Sequence, residues 1–124
     1  HPEEIKQSIL SMRALYGDKK LTGIFQPHLY TRTRDFYQEF AESLSLLDEV
    51  ILTDIYPARE LPIEGVSSQL IYDNLRPDID KILCTKEEVI DILKKKEIEV
   101  LMTLGAGDIE NYAPQICEIL NERC

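Results

Sequence analysis

Apolar residues recur near the start of the chain at Ile5, Ile9, Met12 and Tyr16, a spacing that returns to one side of a helix every turn. Pro2 suits the first turn, Glu3 and Glu4 face the positive helix end, and Gly17 suits the exit. The period then changes. "LTGIFQ", Leu21 to Gln26, is a short apolar run and predicts a strand. Phe36, Phe40, Leu44 and Leu47 fall on one side of a second helix, with Thr33 or Asp35 as its cap. "VILTDIY", Val50 to Tyr56, predicts a second strand, and "YPARELPIEG", with two prolines and a glycine, a loop. Ser67 or Ser68 opens a short helix through Leu75, and "DKILC" predicts a third strand. "TKEE" matches a capping box in which Thr85 reaches one way and Glu88 the other, ahead of a helix carrying Val89, Ile92 and Leu93. "IEVLMTL" is the fourth strand, "GAGD" a tight turn, and Ile109 to Leu120 a last helix with Pro114 near its start.

Strands that alternate with helices require right-handed crossovers, so the pattern predicts an α/β fold. The expected architecture is a Rossmann-like, mostly parallel sheet with helices on both faces. At 124 residues the chain suits one domain with one core. No internal repeat or linker interrupts it.

Charge narrows the functional classes. Lys and Arg number 14 against 23 Asp and Glu, a net charge of -9, which argues against general affinity for nucleic acid or an anionic membrane. No apolar run approaches the ~20 residues of a membrane helix, and no secretory signal pattern is visible. Cys84, Cys117 and Cys124 are too widely spaced for a metal pattern and too few for a disulfide framework, which suits a reducing cytoplasm. The chain opens His1-Pro2-Glu3 without a Met, so a cut from a longer protein is expected.

Against this acidic background "FQPHLYTRTRDF", residues 25–36, gathers His28, Tyr30, Thr31, Arg32, Thr33 and Arg34. In open parallel sheets ligands bind beyond the carboxyl ends of the strands. Four segments fall there: this loop, "DIYPARE", "CTKEE" and "GAGD", so Asp54, Tyr56 and Arg59 share a rim with the basic loop. Arginine grips carboxylate or phosphate through a planar fork of donors. His28 and the threonine hydroxyls add hydrogen bonds, and a helix start near Thr33 adds unsatisfied N–H groups. The expectation is an anion-binding corner. The alternatives are that Arg32 or Arg34 pairs with Asp35, Glu39 or another surface carboxylate, and that His28 is a structural histidine. "GAGD" lacks the full G-x-G-x-x-G fingerprint, since Asn111 and Tyr112 follow, and close helix–strand packing is its plainer reading. No P-loop lysine motif, nucleophile elbow or histidine-rich metal cluster is present, and no catalytic or metal-binding residue is assigned.

"HPEEI", "FQPHLYTRTRDF", "DIYPARELPIEGV" and "GAGDI", in order across nearly the whole chain, resemble the C-terminal domain of the Mur ligase family of peptidoglycan synthesis. Within it they are most similar to the members that join L-alanine to UDP-N-acetylmuramate. The resemblance implies that residues 1–124 are the third domain of a three-domain enzyme, inactive when isolated. It implies that ATP and magnesium are bound mainly by a central domain, where the substrate carboxylate becomes an acyl phosphate that the amine of L-alanine attacks. It implies an extra antiparallel strand at an edge of the sheet. His28 matches the family's histidine and Arg32 its second arginine, both around the incoming amino acid. Leu29 stands where the first arginine usually is, and Arg34 is a possible substitute. His1 matches the last histidine of a segment lining the nucleotide side. Tyr56 and Arg59 match a characteristic loop without an assigned contact.

Two rivals belong to other classes. A receiver-like signalling domain phosphorylated on Asp54 suits the length, acidity and α/β order. It needs an acidic pair after the first strand, where Pro27 and His28 stand, and a lysine at the last active-site strand end, where Leu104 and Gly105 stand. An interaction module without a ligand rim is the second; it predicts that charge reversal at Arg32 changes nothing in catalysis.

Overall fold

The structure, a computed structural model, describes residues 1–105. Helix α1 spans Pro2–Leu15, strand β1 Leu21–Gln26, helix α2 Tyr30–Leu44 and strand β2 Glu49–Leu52. Helix α3 spans Ser68–Asn74, strand β3 Asp80–Leu83, helix α4 Val89–Lys95 and strand β4 Val100–Gly105. The glycine turn beyond Gly105, the last helix, Cys117 and Cys124 lie outside the described residues.

The strands are ordered β3-β2-β1-β4 and every pairing is parallel. The expected antiparallel edge strand is not found among the described residues. β1 occupies the centre, with Ile24 opposite Ile51 of β2 on one side and Thr103 of β4 on the other. All six of its residues are buried, as a strand covered on both faces requires. After β1 the chain winds outward through β2 to β3, then returns to β4 on the other side of β1. The direction of winding therefore reverses between β1 and β4, the switch point at which such sheets leave a crevice.

Alternation along the strands builds two cores. Leu21 and Phe25 of β1 join Ile5 and Ile9 of α1, Phe40 and Leu44 of α2, and Ile71 of α3 on one face. Ile24 and Ile51 pack against Val89 and Leu93 of α4 on the other. The predicted stripes bury in the main, but Tyr16, read as the end of the first one, is the C-cap of α1 and is exposed.

The helix starts show where local reasoning holds and where it fails. Ser67 caps α3, its hydroxyl accepting from the Gln69 N–H at 3.2 Å. The Thr85–Glu88 box forms as expected, around a short 3₁₀ turn, Lys86–Glu88, that leads into α4. α2, however, begins at Tyr30 rather than at Thr33 or Asp35. The Thr33 hydroxyl donates to the Leu29 carbonyl one turn back at 2.9 Å, and Asp35 pairs with Arg34. β2 also stops at Leu52, short of Tyr56.

Candidate functional site

A cleft of about 380 Å³ opens at the carboxyl ends of β1 and β4. α1 contributes His1, Glu4, Ile5 and Ser8; β1 contributes Phe25 and Gln26; β4 contributes Thr103 and Leu104. His28 follows β1 directly, and Arg32 and Phe40 come from α2. The three residues singled out from sequence, His1, His28 and Arg32, therefore meet at one place, the switch point of the sheet.

Each is held by a different device. His1 caps α1: its Nδ1 accepts from the Glu3 N–H at 3.2 Å, which in the neutral ring leaves the proton on Nε2. Its ring lies 5.8 Å from that of Phe36. His28 stacks on Tyr56 with ring centroids 5.7 Å apart and planes 18° apart. Tyr56 in turn donates its N–H to the Pro27 carbonyl at 2.8 Å and accepts from the Leu29 N–H at 2.9 Å. A strand-like bridge between the two loops so continues the β1–β2 pairing past the sheet edge. This is the contact that the sequence left unassigned for Tyr56.

Arg32 rides on the first turn of α2, and that turn has an unforeseen cap. The Glu60 carboxylate accepts from the Tyr30 N–H at 2.5 Å, the Thr31 N–H at 3.1 Å and the Thr31 hydroxyl at 2.6 Å. These hydrogen bonds, the hydroxyl's foremost, hold the Glu60 carboxyl below the usual carboxylate range. The expected anion corner is corrected accordingly. The helix-start N–H groups and the Thr31 hydroxyl already serve a carboxylate of the chain itself, and Thr33 is buried. What remains for a ligand is side-chain charge.

The two arginines differ in this respect. Arg34 pairs with Asp35 at 2.9 Å and is not among the cleft residues, so its proposed substitution for the missing arginine has no support here. Arg32 has no ion pair or side-chain hydrogen bond among the described residues and is exposed in the cleft. Leu29, at the position of the missing arginine, has φ 71°, a left-handed value that costs a non-glycine residue strain. Its backbone joins the Tyr56 bridge and closes the first turn of α2.

Asp54 and Arg59 lie elsewhere. Asp54 lines a separate cleft of about 570 Å³ with Tyr30, Ser67, Ser68 and Gln69, and Arg59 is exposed on the second loop. Burial first, and Glu87 second, push the Asp54 carboxyl above its ordinary value. Among the described residues no three His, Cys, Asp or Glu side chains converge as metal ligands.

Several residues in or supporting the cleft carry no sequence signal. Gln26 is 1% exposed, a buried amide at the end of an otherwise apolar strand, and only that contrast marks it. Glu60 lies 29 residues after Thr31, too distant for any local capping rule. Glu4 reads as an ordinary first-turn acid.

No family model matches the chain. It is 76% identical over 123 residues to a UDP-N-acetylmuramate–L-alanine ligase of Phocaeicola vulgatus, covering 99% of this chain and 27% of that protein. It is 51% identical over 125 residues to the ligase of the same name from Porphyromonas gingivalis, covering all of this chain and again 27% of the relative. The chain thus spans about a quarter of the length of the curated relatives it matches. The crystal structure of a UDP-N-acetylmuramate–alanine ligase from Thermotoga maritima superposes with a TM-score of 0.75 at 24% identity. That match covers the whole of this chain and 25% of the other, and it establishes likeness of fold.

Proposed function

By sequence the chain belongs with the C-terminal part of the UDP-N-acetylmuramate–L-alanine ligases, in the Mur ligase family, and from that relationship we propose its role. Residues 1–124 act as the third domain of a three-domain, ATP-dependent enzyme that joins L-alanine to UDP-N-acetylmuramate in peptidoglycan synthesis. The observation that carries this reading is the 76% identity over 99% of the chain. The receiver-like alternative has no such support.

In this reading Arg32 meets the carboxylate of L-alanine. Its guanidinium is unpaired among the described residues, opens on the switch-point cleft, and stands on a helix turn locked by Glu60. His28, fixed against Tyr56, lies beside the same amino acid. Phe25, Phe40 and Leu104 offer apolar surface to its methyl group. His1 faces the nucleotide, with Nε2 as donor. The chain supplies charge and position rather than a nucleophile.

ATP with magnesium supplies the phosphoryl group that activates the sugar carboxylate. By the family resemblance, both would be held mainly by a central domain outside this chain. The cytoplasm is the expected compartment, which the free, buried Cys84 suits.

The test is steady-state kinetics of the full-length enzyme. Arg32→Ala should raise the KM for L-alanine about 30-fold or more, as expected when a charged partner worth roughly 2–5 kcal/mol is lost. His28→Ala should do so more mildly, and Arg34→Ala should not. An unchanged alanine KM in Arg32→Ala would remove the carboxylate role.

A further inference from the structure

The switch-point cleft holds a negative charge that the role proposed for Arg32 and His28 leaves unused. Glu4 stands on the first turn of α1 and lines the same cleft as Arg32, which the first turn of α2 carries. Among the described residues its carboxylate has no side-chain hydrogen bond and no ion pair, and it does not pair with Arg32. Its neighbour Glu3 differs: that side chain accepts from Gln7 at 3.0 Å and lies in the adjoining groove between α1 and α2. One cleft therefore presents an unpaired guanidinium from α2 and an unpaired carboxylate from α1, with Phe25, Phe40 and Leu104 as apolar lining.

We propose that Glu4 is the counter-ion for the α-ammonium of the amino acid, so that Glu4 and Arg32 together read both charges of a zwitterion. A free amino acid carries its ammonium and carboxylate on the same carbon, and a site with only a cation would not distinguish it from a simple carboxylic acid. A carboxylate in the same cleft provides that discrimination, because an amine-free acid would leave it without a partner and place two negative charges in one cleft. It also orients the nitrogen, which is the atom that must later attack. The inference rests on the amino-acid role proposed for this cleft and assigns the residue that recognises the nitrogen.

The experiment uses the full-length ligase with UDP-N-acetylmuramate and ATP saturating. The KM for L-alanine is measured together with inhibition by propionate, which is alanine without its amine. Glu4→Gln should raise the alanine KM about tenfold, while propionate inhibits it at least as well as it inhibits the parent. Glu4→Asp should recover part of the loss. Glu3→Gln, the same charge change one residue away, should leave both constants alone. Arg32→Ala should weaken alanine and propionate alike. If Arg32→Ala does so and Glu4→Gln leaves the alanine KM unchanged, the ammonium role is wrong and the carboxylate site stands. The ammonium role also falls if Glu4→Gln weakens propionate as much as alanine. If neither variant affects alanine, the amino acid lies elsewhere and both roles are lost.

Discussion

Arg32 and Arg34 are two positions apart on one helix and meet opposite surroundings. Arg34 is neutralised by Asp35 at its side, whereas Arg32 looks onto a crevice in which no carboxylate among the described residues comes within pairing distance. The side chains on the rim are similarly sorted by neighbours rather than by type. Asp54 is a case with a measurable consequence. Its folded-state pKa lies above its ordinary value, because burial and Glu87 disfavour the charged form. The folded protein thus holds this proton more tightly than the unfolded chain does. The group's contribution to stability is complete below the ordinary carboxylate value and declines as pH rises through the raised one. Asp54→Asn should therefore stabilise the domain at neutral pH, by about 0.5 kcal/mol or less after solvent screening. Chemical denaturation at pH 7 checks this, and the gain should disappear toward pH 3.

Between elements, the decisive contact is the one from the second loop to the start of α2. Glu60 satisfies donors of Tyr30 and Thr31 that no local residue caps, and so fixes the turn carrying Arg32. Its pKa is lowered, so the stabilisation is present above the ordinary carboxylate value and is lost as pH falls through the lowered one. Glu60→Gln should lower the Tm more than Glu64→Gln, an exposed acid in the same loop, and the gap should close on acidification. It should also raise the alanine KM of the full enzyme through loosening of the turn. Thermal melts from pH 7 to pH 3, paired with that KM, would reveal either effect. The sequence made the helices legible because burial leaves a periodic trace. It made the Ser67 and Thr85 caps legible because those hydrogen bonds close within a few residues. It misplaced the start of α2 because that cap comes from another element, and the long reach leaves no local pattern.

Across the whole molecule the central strand dictates how closely the layers approach. Gly23 lies in β1 where an added Cβ would come within 2.4 Å of Leu47 Cδ1, and Leu47 is itself only 1% exposed. The leucine cannot swing into solvent, so Gly23→Ala should cost about 1–3 kcal/mol, measured by urea unfolding. At the opposite edge of the sheet from the cleft, Glu49, 2% exposed, receives Lys96 at 2.5 Å and the Thr22 hydroxyl at 3.2 Å. Charge at that edge is spent on structure, while Arg32 and Glu4 at the cleft are left open to a ligand.

Read alone, the chain determined its alternation of strand and helix, the parallel sheet, and the edge at which a ligand is expected. Those depend on periods of burial and on the direction of parallel strands, both carried by neighbouring residues. It also marked His1, His28 and Arg32 by their likeness to a known set of motifs. Only the tertiary structure decided that these three share a crevice with Glu4, that Glu60 occupies the helix start, and that Arg34 is spoken for. Such facts depend on which distant segments meet, and no short-range pattern records a meeting between residues drawn from four different elements.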